Sequence, residues 1–339
     1  MSELVRVVLS LVPVFLFLLA LFALDSFKLV RPGAVARAIA TGAVIAVGCL
    51  LLARWVIGSG LCDSTTYMRF IAPPLEEAAK GLVIVYLIRT RRIGFMVDSA
   101  ILGFATGAGF ATVENVHYLS AVSDANLLLW GVRGFGTALL HGGATAIMGI
   151  VSKLLADMRG SERPFVFLPG LSIAVVSHVL FNSFYLSPVV FTLALVSTFP
   201  LLIFAVFARS ERLLRDWLEV GLGSDVDLLD MLRSGEVKDT RVGQYVRTLR
   251  DRFPGEVLGD MLCYLQMSVE LKIKAKGRLL MQEAGFTPAP DPTIGDLFRE
   301  LTFLESSIGP TGRLALSPFL HWSSRDLWGQ RMLRESASG

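Results

Sequence analysis

Apolar windows of about 20 residues, the length that spans a bilayer as a helix, recur at 4–24, 34–57, 67–88, 97–119, 127–153, 164–186 and 188–208. Their length and continuity predict consecutive membrane helices rather than strands. Beyond Arg209 the pattern changes. The windows 224–234, 240–253 and 255–284 show apolar residues at helical spacing with Asp, Glu, Lys and Arg between them, which predicts amphipathic helices of a water-soluble unit. The run Gly285-Phe286-Thr287-Pro288-Ala289-Pro290-Asp291-Pro292 predicts a helix stop and then a stiff linker. The predicted fold class is all-α: a polytopic transmembrane helix bundle of about seven spans over residues 1–208, then a soluble all-helical domain over residues 209–339.

Composition agrees with that picture. Hydrophobic residues make up 53% of the 339 residues against 18% charged, the balance of an integral membrane protein. A net charge of +3 gives no reason to expect a nucleic-acid partner, so the lipid bilayer is the expected surrounding. Cys49, Cys62 and Cys263 lie far apart without a CxxC pair, which leaves neither a zinc ribbon nor a disulfide framework. The apolar run 4–24 is too long for the core of a signal peptide and lacks a small-residue cleavage site, so it is predicted to be a retained span.

Charge in the connections alternates. Lys28, Arg31 and Arg37 mark the first, Arg89, Arg91 and Arg92 the third, Lys153, Arg159 and Arg163 the fifth, and Arg209, Arg212 and Arg215 follow the last window. The intervening connections carry Asp63 and Asp124 but almost no Lys or Arg. Positive charge gathers on the cytoplasmic side, so a multi-pass protein of the cell membrane is predicted, with its N-terminus outside and its C-terminus in the cytoplasm.

Several ionisable residues sit inside the apolar windows, where each costs roughly 2.5–3.5 kcal/mol at bilayer depth. Pro73-Pro74-Leu75-Glu76-Glu77-Ala78-Ala79-Lys80 places three of them close together on a helix. Glu76 and Lys80 stand at i,i+4 and Glu77 and Lys80 at i,i+3, so the ammonium can bridge toward both carboxylates. Phe110, Glu114 and Tyr118 share a face of the fourth window. Glu114 has no Lys or Arg within a turn, so its counter-charge must come from another helix or a bound cation. His141 lies in the fifth window before Gly142 and Gly143, which bring its backbone near a neighbour or make room for a substrate. His178 and Asn182 share a face of the sixth. Counting about 1.5 Å per residue from the predicted outer ends, Glu76 is roughly 13 Å deep, Glu114 about 8 Å, His178 about 12 Å and His141 about 20 Å. With the fifth helix starting nearer Trp130, which brings His141 up, the four groups fall in the outer half of the bilayer. His321, beside Trp322, has no partner ligand nearby in sequence and reads as an ordinary histidine.

Imidazoles and carboxylates are the ligands of catalytic zinc, which takes three protein ligands and leaves a position for water. His141, His178 and Glu114 supply such a set for Zn2+. Glu76 is the predicted general base, Lys80 orients or neutralises Glu77, and Asn182 can donate to a developing oxyanion. A metal-free route, with Glu76 and a histidine activating water, fits the same residues.

The ordered series Glu76-Glu77-x-x-Lys80, Phe110-x-x-x-Glu114-Asn115, His141 and His178-x-x-x-Asn182 resembles the PrsW family of intramembrane proteases over about residues 60–190. That family is distantly similar to the prenyl-protein (CAAX) endopeptidases and to bacteriocin-immunity-type membrane proteases. The resemblance implies a multi-pass peptidase that cuts membrane-anchored protein substrates. In the best-known branch the substrate is an anti-sigma factor trimmed on its external side. Two features depart from the relatives. CAAX enzymes carry histidine where Glu114 stands, so prenyl-cysteine processing is not implied. The segment after His141 is glycine-rich where an aromatic is common. Residues 209–339 lie outside the resemblance and leave open a cytoplasmic partner. Two other classes use similar residues: a transporter or proton relay built on Glu and His, and a membrane scaffold in which they serve only as interhelical glue.

Overall fold

The structure, a computed structural model, describes residues 3–25, 27–121, 127–160, 162–234, 241–320 and 322–337. Asp124 and His321 lie outside the described residues. Helix is the only regular structure among them. In chain order come α1 (Glu3–Ala23), α2 (Pro32–Gly58), the single turn α3 (Ser64–Thr66), a π-helical turn Tyr67–Ile71 and α4 (Ala72–Arg89). Then follow α5 (Met96–Ala121), α6 (Leu127–Gly131), a π-helical stretch Val132–Gly143, α7 (Ala144–Arg159), a short 3-10 turn Pro164–Val166, α8 (Leu168–Ser183) and α9 (Pro188–Ser234). The last four are α10 (Arg241–Leu249), α11 (Gly255–Glu283), α12 (Thr293–Leu316) and α13 (Ser324–Ala337). The chain divides into two units, Met1–Glu211 and Arg212–Gly339.

Among the described residues, five helices are long and apolar enough to cross a membrane: α1, α2, α5, the continuous Leu127–Arg159 and α9. The predicted windows 67–88 and 164–186 correspond to shorter helices. α4 has 18 residues and carries Glu76, Glu77, Lys80 and Arg89. α8 has 16 and ends where Phe184 adopts a left-handed φ of 56°. The five long helices divide by burial. α5 is enclosed along most of its length, whereas α1 and α2 expose large apolar side chains such as Leu19, Val44, Leu51 and Trp55, as lipid-facing helices do.

α5 is the axis of the first unit. It packs against α1, α2, α4, α7 and the π-helical stretch Val132–Gly143. Two glycines permit this crowding. A Cβ at Gly109 would lie 1.9 Å from the Ile39 carbonyl oxygen of α2, and one at Gly107 would lie 2.1 Å from the His141 carbonyl oxygen. Small residues let helix backbones approach this closely. Gly107→Ala should therefore push the two backbones apart, cost at least about 1–3 kcal/mol and displace His141. Thermal unfolding of purified protein should show the loss. Gly48, where an added methyl group would meet nothing within 4 Å, is the control. Gly48→Ala removes a flexible residue from α2 and should stabilise it by about 0.5–1 kcal/mol.

The backbone before α4 departs from an α-helix for a reason written in the sequence. Pro73 and Pro74 have no N–H to give and crowd the carbonyls four residues back. The preceding turn widens, so the Ala72 N–H reaches the Tyr67 carbonyl in an i→i−5 bond.

The second unit has a core of its own, built by Leu265, Val269 and Leu271 of α11, Phe298, Leu301 and Leu304 of α12, and Leu333 of α13. α11 stops as the sequence predicts. Gly285 takes φ 82°, its N–H bonds the Gln282 carbonyl, and the Phe286 N–H bonds the Met281 carbonyl at 2.9 Å. This crossed pair satisfies the last carbonyls of the helix.

Candidate active site

Five of the seven predicted site residues join one hydrogen-bonded cluster, and a sixth, Glu76, borders it. Lys80, 0% exposed, donates to Glu77 Oε1 at 2.6 Å and lies 3.0 Å from His141 Nδ1. His178 Nδ1 is 2.8 Å from the same Glu77 oxygen. His141 Nε2 is 2.7 Å from Glu114 Oε2. Glu76 completes the group, its Oε2 3.8 Å from His178 Nε2. The two imidazoles stand edge to face with centroids 4.8 Å apart. Phe110 roofs the cluster, 4.8 Å from the His141 ring and 4.8 Å from Lys80 Nζ.

The hydrogen bonds orient each imidazole. A carboxylate only accepts, so Glu77 places the His178 hydrogen on Nδ1 and leaves the Nε2 lone pair facing Glu76. An ammonium only donates, so Lys80 makes His141 Nδ1 the acceptor and sends the ring hydrogen toward Glu114.

Glu114 finds a counter-charge on another helix, one of the two sources the sequence leaves open. Arg133, on the π-helical stretch, donates to Glu114 Oε1 at 3.3 Å, and its guanidinium carbon lies 3.4 Å from the centre of the Tyr118 ring. Its NH2 also lies 3.5 Å from Asn115 Oδ1, and Asn115 in turn donates to the Ser10 carbonyl of α1 at 2.8 Å. Arg133 is not among the residues that the sequence motifs single out, although an arginine within the apolar window 127–153 is itself a signal of function.

Asn182 stands apart from the hydrogen-bonded cluster. Its Nδ2 donates to the Met68 carbonyl at 3.0 Å, tying α8 to the π-helical turn before α4. It still lines a cavity of about 380 Å³ that reaches His141 and Glu114. A second cavity, of about 410 Å³, reaches Glu76 and Glu114 from the α2 side and is faced by Phe110, Glu114 and Tyr118, the three residues that share a face of α5. The glycines after His141 serve packing: a Cβ at Gly142 would meet the Phe104 ring at 2.7 Å and one at Gly143 the Phe199 ring at 3.1 Å.

The donor set suits a metal. Among the described residues, Glu76, His141 and His178 each offer one ligand atom, and these atoms lie within 4.8 Å of one another. Tetrahedral zinc with bonds of about 2.0–2.2 Å holds its ligand atoms about 3.3–3.6 Å apart, so side-chain rotations of about an ångström would close the site. The carboxylate behind His178 Nδ1 is the arrangement that orients a ligating imidazole. Glu77 Oε2, buried, has no hydrogen-bond partner among the described residues and can accept one more donor.

A multi-pass helical protein that gathers two buried histidines, a buried lysine and three carboxylates in one cluster, with cavities reaching it from two sides, has the organisation of an intramembrane hydrolase. The chain matches the PrsW family intramembrane metalloprotease over residues 31–208, and it belongs to that family. No curated protein and no solved structure matches it.

Proposed function

We propose that this intramembrane metalloprotease hydrolyses a peptide bond of a membrane-anchored protein at the Glu76–Glu77–Lys80–Glu114–His141–His178 cluster. The observation that carries the reading is their meeting in one cluster, five of them hydrogen-bonded and Glu76 3.8 Å from His178, although they come from four separate stretches of the chain. Glu76, His141 and His178 would hold the metal, His141 by turning its Nδ1 lone pair from Lys80 to the ion, with zinc the ion that best suits two imidazoles and a carboxylate. When bound, it supplies Lewis-acid polarisation of the scissile carbonyl and a water of lowered pKa.

The protein's own groups have separable tasks. Glu77 fixes the His178 tautomer, and Lys80 neutralises Glu77 while steadying His141. Glu114 borders both cavities. It is placed to take a proton from the attacking water and return it to the leaving amine. Arg133 holds it in position. The geometry thus favours Glu76 as ligand and Glu114 as base, an exchange of the roles the sequence suggests. Asn182 lines the wall beside His141 and would bind the substrate backbone.

In this reading α4 and α8 cross the membrane with the five long helices, residues 1–208 form the protease domain, and the cluster opens toward the external side. Residues 209–339 form a cytoplasmic helical domain able to bind a partner, and the substrate is of the anti-sigma-factor type. The test is cleavage of a single-pass membrane reporter co-reconstituted with the full chain in liposomes. Cleavage that stops on chelation, returns with Zn2+ and falls by about 10²–10⁴ in Glu114→Gln is expected. Cleavage insensitive to chelation and to Glu114→Gln would overturn the reading.

A further inference from the structure

The two cavities beside the cluster differ in chemistry, and the difference bears on which peptides fit. Both are bordered by Met68, Glu114 and Tyr118. One touches Glu76 and the other His141, and a chain crossing their shared border would pass the cluster. The wall on the α2 side is mostly apolar, with Ala46, Leu50, Ala53 and Ile57, and its arginine, Arg54, is exposed where Arg69 is half-buried. The wall on the α8 side carries Ser64, Thr65, Thr137 and Asn182, together with Arg69.

Arg69 is the informative residue. It is half-buried on the π-helical turn just before α4, in the wall of the cavity that reaches His141. Its guanidinium carbon lies 5.8 Å from the centre of the Phe184 ring, which holds the plane without using its N–H donors. It has no carboxylate partner among the described residues. The other arginine of that wall, Arg133, is already engaged with Glu114. A half-buried guanidinium beside an aromatic ring in a cavity wall is suited to a carboxylate, which it can meet with two parallel hydrogen bonds.

We propose that the substrate lies extended across the cluster with apolar residues on the α2 side and an Asp or Glu side chain against Arg69 on the other. This rests on the proteolytic reading of the same site and adds to it the chemical class of the peptide. A membrane-anchored protein offers such a sequence where its apolar anchor passes into an acidic juxtamembrane segment.

The test uses the full chain in detergent and a set of fluorescent peptides in which an apolar six-residue block is joined to a short segment carrying two Glu, two Gln or two Lys. Binding is read by anisotropy and cleavage by product analysis. The wild type should bind the Glu peptide about tenfold more tightly than the Lys peptide, the size of one charge-assisted hydrogen bond. Arg69→Glu should invert that order, a gain on the Lys peptide that a misfolded chain could not produce. Arg69→Gln should bring the Glu and Lys peptides level. Equal binding of the two by the wild type, or an order unchanged in Arg69→Glu, would overturn the proposal. Binding that follows the proposal with no peptide cut would count against the proteolytic reading and leave Arg69 as an acid-recognition residue.

Discussion

Lys80→Met should lower the stability of the membrane unit by about 3–5 kcal/mol, the cost of stranding a buried carboxylate without its counter-charge. Lys80 and Glu77 are 0% and 1% exposed and 2.6 Å apart, so neither can turn to water when the other is removed. Methionine fills nearly the same volume, which keeps the loss electrostatic rather than steric. The double variant Glu77→Gln with Lys80→Met removes both charges and should recover most of that stability, because an uncharged pair of similar shape has little to desolvate. Thermal unfolding in detergent would read the single variant as a fall on the order of 10 °C. Neither variant should cleave a membrane reporter, since both remove the carboxylate–lysine link that orients His178 and His141. A single variant as stable as the wild type would mean that Glu77 is not charged in the folded protein.

What the sequence makes legible follows from cost. Ionisable residues at bilayer depth are expensive enough to be conspicuous in a single chain, so Glu76, Glu77, Lys80, Glu114, His141 and His178 stand out. The i,i+3 spacing of Glu77 and Lys80 correctly implies their contact. Local spacing says nothing about pairs joined only by tertiary packing. The 3.0 Å approach of Lys80 to His141 spans 61 residues, and the sharing of Glu77 between Lys80 and His178 spans 101. Arg133 is inconspicuous because it lies among glycines and apolar residues with no acid at helical spacing; its partner is 19 residues away on α5. The count of spans is hardest at α4 and α8, where polar residues and proline interrupt the apolar pattern that marks a membrane helix. Those are also the helices that carry Glu76, Glu77, Lys80 and His178. The ambiguity and the site have one cause: a segment that brings charge into a membrane is poorer in the signal by which spans are found.

Exchanging Glu76 and Glu114 for glutamine one at a time should separate metal binding from proton transfer. Glu76→Gln replaces a carboxylate of the compact donor set by an amide, a far weaker ligand for zinc, and leaves His141 and His178 alone. Purified Glu76→Gln protein should therefore hold much less metal than the wild type by elemental analysis, and should lose cleavage with it. Glu114→Gln keeps all three donors and a side chain of the same length beside His141 Nε2, and the amide can still accept the ring hydrogen across the 2.7 Å contact. It should retain metal near the wild-type ratio while cleavage falls by about 10²–10⁴, the loss of a positioned base. Its Arg133 partner loses a charge but keeps the Tyr118 ring and Asn115, so the fold should tolerate the change. The reverse outcome, metal lost in Glu114→Gln and kept in Glu76→Gln, would return the two carboxylates to the roles that spacing alone suggests. If neither variant nor the wild type held metal while the wild type still cut, water activation would rest on the carboxylates and imidazoles alone, and the 3.8 Å approach of His178 Nε2 to Glu76 would become the place to look for the base.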